Sequence, residues 1–334
     1  MKKRILSPVF CVLGLAVLGL AALCLGQYSL SPAKVLAALW PGGWPGVSLS
    51  DTDLTVIFNV RLPRVLLALL AGAALSGAGA AFQAVFSNPL ATPDTLGVAT
   101  GASFGAVLAI LMGLPALAVQ GAALAMGLGA VALVYLVGQV RGERTVLTLV
   151  LAGLVVSSLF SALVSLVKYV ADPQNTLPAI TFWLMGSLSG TTRRSLALGL
   201  PFLGVGVVVL WLLRWKLNLL ALPQEEALSL GVPVKKLRVL AVGAAALITA
   251  SVVSLCGQIG WVGLLVPHAA RMLVGGDNRR LIPASFGLGA AFFLVIDTLA
   301  RCATAAEIPV SILTAVVGAP LFIVLLRRTG GAGL

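Results

Sequence analysis

The chain alternates between long apolar runs and short polar breaks. Crossing a bilayer takes ~20 apolar residues. Suitable runs occupy 5–26, 63–86, 93–112, 115–139, 146–168, 195–213, 237–256, 259–274, 281–299 and 310–326. They predict an all-α polytopic membrane protein with about ten transmembrane helices. The run 259–274 is short and is interrupted by Pro267. An even number of crossings puts both ends on one side. The first run follows Lys2, Lys3 and Arg4, is too long for the apolar core of a signal peptide, and has no small-residue cleavage site behind it. It reads as a retained first span.

The longest polar break in the second half runs from Leu222 to Arg238. Within it, Gln224, Glu225 and Glu226 suit the first turn of a short helix, where carboxylates complement the helix dipole. Ala227 and Leu230 follow. Gly231 offers a left-handed cap and Pro233 stops continuation. A capped helix on a loop carrying Lys235, Lys236 and Arg238 is a handle for a cytoplasmic partner, or an ordinary solvated loop. Other breaks carry their own signals. Asn88, Pro89 and Pro93 predict a tight inner turn over 87–94. A short surface helix is expected within 171–194, and Pro201 is expected to kink the sixth span. Gly97, Gly101 and Gly105 make two overlapping GxxxG steps for close helix packing.

Composition narrows the class. The 334 residues are 60% hydrophobic and 10% charged, with a mean hydropathy of +1.10, whereas soluble domains carry ~25% charged residues. No polar stretch is long enough for a soluble domain, so residues 1–334 form a single transmembrane domain. The net charge of +12 raises nucleic acid as a partner, but the cations cluster in loops and form no stripe. With the amino end inside, fifteen Lys and Arg fall on the inner side and seven on the outer. Inner loops are the basic ones, so both ends are expected in the cytoplasm.

Candidate chemistry is sparse. Arg61 and Arg64 sit at an outer mouth against that charge bias. They either snorkel to lipid phosphates or receive carboxylates from an acidic partner. Asp297 and Arg301 are four apart and pair on one helix face. His268, the only histidine, lies beside Pro267 and is expected to be a structural hydrogen-bonder. Cys11, Cys24, Cys256 and Cys302 show no CxxC spacing, which predicts neither a metal site nor a disulfide framework. Asp94, Asp297 and Glu307 lie near span ends, none at a midplane. An ion-coupled transporter or a bare-metal permease needs intramembrane acids or histidines, and a membrane enzyme needs a polar cluster. No GxxxxGK[ST] loop occurs, so ATP is not bound in that mode. The groups of spans 63–168 and 237–326 flank the sixth span and would be inverted relative to each other, as in many transport folds.

Several motifs, in order, resemble those of the FecCD-type permeases of ABC importers. They are Arg61, Leu62, Pro63 and Arg64; Gln83 with Asn88, Pro89 and Leu90; Trp183 with Gly186 and Ser187; Glu226, Ala227, Leu230 and Gly231; Gly263 through Val266 with Pro267, His268 and Arg271; Asp297 with Arg301; Glu307, Ile308 and Pro309; and Gly318, Ala319 and Pro320. The likeness runs from about residue 55 to the carboxyl end, with Trp261 where the family usually has Phe. It implies the type II importer permease fold, working as a homodimer in the bacterial inner membrane. The partners implied are two cytoplasmic ATPase subunits and an external substrate-binding protein; no cofactor is implied. Arg61, Arg64 and Arg301 would dock the binding protein. Glu225, Glu226, Ala227, Leu230 and Gly231 would couple to the ATPase. Asn88, Pro89, Pro267, His268, Arg271, Asp297, Glu307 and Pro309 would belong to structural and gating motifs. The cargo class is a metal chelate, ferric siderophore first, then haem or cobalamin, moved by alternating access.

Overall fold

The computed structural model describes residues 8–40, 44, 46–139, 145–222, 224–229 and 231–329. Leu230, Lys2, Lys3, Arg4, Arg141 and Arg144 lie outside them. Fourteen α-helices occur among the described residues: α1 Pro8–Cys24, α2 Pro32–Leu39, α3 Asp51–Thr55, α4 Leu62–Val85, α5 Val98–Leu111, α6 Ala116–Val137, α7 Val146–Val170, α8 Thr176–Leu184, α9 Arg193–Leu213, α10 Gln224–Ser229, α11 Val234–Cys256, α12 Val262–Val274, α13 Asn278–Cys302 and α14 Val310–Thr329. Each of the ten apolar runs coincides with one of them. Six helical stretches are long and apolar enough to cross a membrane: Asp51–Val85, α6, α7, α9, α11 and α13. The apolar parts of α1, α5, α12 and α14 are shorter, at 10–17 residues each. The surface helix expected within 171–194 is α8, and Pro201 lies inside α9.

Local sequence sets the helix ends. Ser31 caps α2 and Ser50 caps α3, the latter in a capping box closed by Asp53. Thr145 and Thr192 form the same reciprocal cap with Thr148 and Ser195 at the starts of α7 and α9. Such caps satisfy N–H groups that have no partner inside the helix. Pro63 sits in the first turn of α4, where its missing N–H removes no helical bond.

Helix α4 is the axis of the fold, with most of its length buried. It packs along α13 through facing small residues: a Cβ on Gly72 would run into the Gly289 carbonyl, and one on Gly79 into the Gly263 carbonyl of α12. In a bilayer, where apolar side chains gain nothing by leaving lipid, such close backbone approach holds helices together. Gly101 and Gly105 of α5 meet Met126, Ala122 and Ala130 of α6 in the same way. Gly97 departs from that pattern: it precedes α5 in a left-handed conformation, φ 74°.

The helices on either side of α9 form two quartets, α4–α7 and α11–α14. α4 packs on α12 and α13, and α11 packs on α5 and α6, so exchanging the quartets preserves the contacts. The second member of each is short, 14 residues in α5 and 13 in α12. Each begins after a positive-φ residue, Gly97 at 74° and Trp261 at 70°.

The inner turn over 87–94 differs from expectation. Leu90 N–H donates to the Asn88 side chain and Ala91 N–H to the Asn88 carbonyl, so the turn is there. The chain then re-enters the bundle. Pro93–Leu96 forms a 3-10 turn; the Thr95 carbonyl lies against Gly153, and Gly97 against Ser157. Those residues sit in the middle stretch of α7, so the turn reaches the centre of the helix bundle.

Candidate functional site

Three groups of residues carry the polar chemistry. The first lies at the outer ends of α1, α4 and α13. Residues Val56–Arg61 form a π-helical turn, the kind of bulge that redirects a side chain. Arg61 Nη1 donates to the Leu23 carbonyl at 2.6 Å and the Cys24 carbonyl at 3.0 Å, and Nη2 to the Tyr28 carbonyl. Arg301 Nη2 donates to the Ala22 carbonyl at 2.6 Å. Two guanidinium groups thus cap the last turn of α1, where carbonyls lack partners and the dipole is negative. Arg64 Nε donates to Asp297 Oδ1 at 2.9 Å, and its Nη1 to Glu307 Oε1 and Oε2 at 2.7 and 2.9 Å. Asp297 Oδ2 lies 3.5 Å from Arg301 Nε, the expected i,i+4 pair.

This geometry corrects the picture of three arginines open to a partner. Arg61, Arg64 and Arg301 are only 4%, 6% and 6% exposed. Their donors turn inward because the α1 carbonyls and Asp297 are buried acceptors that water cannot reach. Glu307 is the accessible member, its side chain 35% exposed. Ile308 N–H donates to the Ala300 carbonyl, holding the 307–309 segment on the end of α13. Pro309 then precedes α14. The Ser187 N–H donates to the Cys256 carbonyl and the Val310 N–H to the Gly186 carbonyl. The turn after Trp183 therefore stitches the end of α11 to the start of α14.

The second group lies at the inner ends. Arg271 donates to Gln83 Oε1 at 2.9 Å, joining α12 to α4. His268 is 2% exposed, and neither ring nitrogen has a hydrogen-bond partner. Its ring instead stands edge-on to Phe322, with centroids 5.7 Å apart. The structural hydrogen-bonder expected there is an aromatic contact between α12 and α14. Beside it, Asn218 donates to Asp277 Oδ1 at 2.7 Å and accepts from the Asn278 N–H at 2.8 Å. That clamp fixes the 3-10 segment Lys216–Ala221 to the start of α13. Helix α10 hangs from this segment and from α11. Ala227 is its buried anchor, Glu226 is exposed, and Gly231 takes φ +73° as the Val232 N–H returns to the Ala227 carbonyl. The clamp has no motif in sequence; only the folded chain brings residues 218 and 277 together.

The third group is a cavity at mid-depth, lined by Leu75, Thr92, Pro93, Asp94, Thr249, Trp261 and neighbouring residues of the α12 start. Leu75 and Thr249 lie in the central stretches of α4 and α11. Asp94 is exposed to this space, whereas the sequence placed it near a span end. The re-entrant turn accounts for the difference. Among the described residues, no group of three or more His, Cys, Asp or Glu is placed to hold a metal ion.

Comparison with known proteins agrees with this architecture. The family model described as the FecCD transport family matches residues 14–328. The molybdate import system permease protein MolB of Haemophilus influenzae is 41% identical, over 96% of this chain and 95% of its own. An iron chelatin transport system permease protein of Helicobacter pylori is 41% identical over 83% of both chains. A solved structure, described as an inward-facing metal-chelate type ABC transporter, superimposes with a TM-score of 0.87 at 39% identity, covering 96% of this chain and 98% of that one. A family match over nearly the whole length, with identity well above 30% across it, leaves one conclusion: the chain belongs to the FecCD family of ABC importer permeases.

Proposed function

We propose that this chain is the membrane half of an importer for a metal chelate, ferric siderophore in the first place, with haem or cobalamin as the alternative within the same class. Two copies surround a central path in the bacterial inner membrane. The ten apolar helices all cross, the four shorter ones within the shelter of the others, and both chain ends lie in the cytoplasm. Two ATPase subunits work the pair from the cytoplasm, and an external binding protein delivers cargo.

The observation that carries the reading is α10, a short helix anchored by Ala227 and closed by Gly231, with Glu226 left facing outward. A solvated loop needs neither anchor nor cap. The clamp through Asn218, Asp277 and Asn278 gives a push on α10 a stiff route into α13. Alternating access follows if ATPase closure moves both α10 helices. Purification of the tagged chain from its host membranes tests this. We expect an ATPase subunit in equal amount and ATP hydrolysis stimulated by the binding protein. A chain that transports cargo alone, driven by an ion gradient, overturns it. Ferric chelates titrated into the cognate binding protein decide the cargo.

Docking of the binding protein takes a modified form. Arg61 and Arg301 are committed to α1. Arg64 shares its fork between buried Asp297 and half-exposed Glu307. An acidic side chain of the binding protein therefore exchanges with Glu307 on Arg64, and the network's three cations against two carboxylates leave room for one more anion.

A further inference from the structure

We propose that the mid-depth cavity is a cargo-selecting station and that the free carboxylate of Asp94 makes it favour neutral or cationic cargo over oxyanions. The inference rests on the importer reading above and adds a charge class to it.

The cavity's position is the first argument. It lies where the two quartets meet. One wall is the turn that leads into α5, with Thr92, Pro93 and Asp94; the facing wall is the start of α12, with Trp261; the sides are Leu75 of α4 and Thr249 of α11. Thus the same two helices of each quartet contribute, the first and the short second. Paired short segments in the two halves of a transport fold mark the binding region, because backbone breaks at that depth survive only where they border a cavity. The walls also reach towards two further helices. Thr95 and Gly97 lean on α7, and Trp261 leans on Phe322 of α14, with ring centroids 6.5 Å apart. A shift of either helix is felt at the cavity.

Asp94 itself is the second argument. Carboxylates at this depth are costly and are kept for a task. A structural task is not visible: α5 has no side-chain cap, nor does the 3-10 turn, and the Asp94 carboxylate accepts no hydrogen bond and pairs with no cation among the described residues. Its nearest polar companions are Thr92 and Thr249, and the Thr249 hydroxyl is engaged by the Ala245 carbonyl at 2.9 Å. The carboxylate is thus an acceptor pointing at cargo space.

The sign of the local field follows from magnitudes. The first turn of α12 borders the cavity and carries about half a positive charge. A full negative charge outweighs it, so an oxyanion meets net repulsion, while ammonium, amide or hydroxyl donors of a chelate meet an acceptor.

Charge-selective thiol labelling tests this with no knowledge of the cargo. In the full chain in nanodiscs, Cys11, Cys24, Cys256 and Cys302 are replaced by Ala and Thr92→Cys is the reporter. Cationic and anionic methanethiosulfonates of similar size are compared, with Asp94 intact or as Asp94→Asn. We expect the cationic preference to fall about tenfold on neutralisation, as removal of a nearby charge in a poorly screened site requires. Equal preference in both backgrounds, or no labelling at all, overturns the inference. Leu75→Cys, on another wall, serves as second reporter if Thr92→Cys does not fold. The measurement uses this chain alone, so its result is separate from that of the ATPase purification.

Discussion

Among single residues, Arg64 carries the heaviest consequence. It bridges α4 to both ends of the 297–307 segment, and its partner Asp297 is fully buried. Removing one member of a buried pair strands the other's charge, at roughly 3–5 kcal/mol. Asp297→Ala is therefore expected to unfold the outer end of the bundle and lower the melting temperature in detergent sharply. Glu307→Gln, at a half-exposed site, should cost less than about 1 kcal/mol and tighten binding of the external protein by clearing Arg64. A Glu307→Gln variant with unchanged or weaker affinity in a surface-binding assay would end the exchange model. Part of this was legible beforehand. The Asp297–Arg301 pair follows from a spacing of four. The burial of Arg61 did not, because its acceptors are backbone carbonyls of α1, and a carbonyl has no letter in the sequence. Asp94 was misplaced for a related reason: Asn88 and Pro89 announce a turn, but nothing in the residue types announces that the next ones climb back into the bundle.

At the level of elements, apolar run length located the helices well, since lipid solvent leaves a chain few alternatives. It was less able to rank them. α4 and α7 look alike in sequence, yet α4 is mostly buried and α7 mostly not. What separates them is the small-residue series of α4, Gly72 through Gly79, which lets α13 and α12 approach. Gly79→Leu, placed against the Gly263 carbonyl, is expected to abolish the assembled fold, read as loss of a monodisperse peak in size-exclusion chromatography. The same side chain at Gly129, where nothing lies within 4 Å, should be tolerated. Helix α10 gives a functional counterpart. Gly231 is at φ +73° with open space around it. A Cβ there meets no clash but strains the backbone by roughly 1–2 kcal/mol, and proline, fixed near −65°, cannot adopt the cap. Gly231→Pro should leave the protein folded and the ATPase bound while uptake no longer follows hydrolysis. Full coupling in that variant would remove α10 from the mechanism.

For the molecule as a whole, the open question is which surface meets the second copy. α7 supplies the strongest argument. Its exposed side carries Ser158, Ser161 and Ser165, spaced by three and four, among Leu154, Val155 and Leu159. Ser158 and Ser165 hydroxyls turn back to carbonyls of their own helix at 2.9 and 3.0 Å, as serines do when no water is at hand. Small polar residues in one stripe suit a helix that packs closely on another helix or borders a polar path, and they bring nothing to a lipid-facing side. The same helix holds the turn that carries Asp94, through Gly153 and Ser157. Placing α7 on the axis of the proposed dimer thus puts the stripe, the turn and the cavity along one route. Ser161→Cys, with the native cysteines replaced, should then join two copies through a short bis-maleimide in native membranes, giving a dimer band whose yield changes when ATP is added. A monomer band alone would move α7 off the axis. If native mass spectrometry of that same sample still found two copies, the pairing would survive, but the face and the route would have to be sought along α14, which also leaves Val316 and Ile323 exposed.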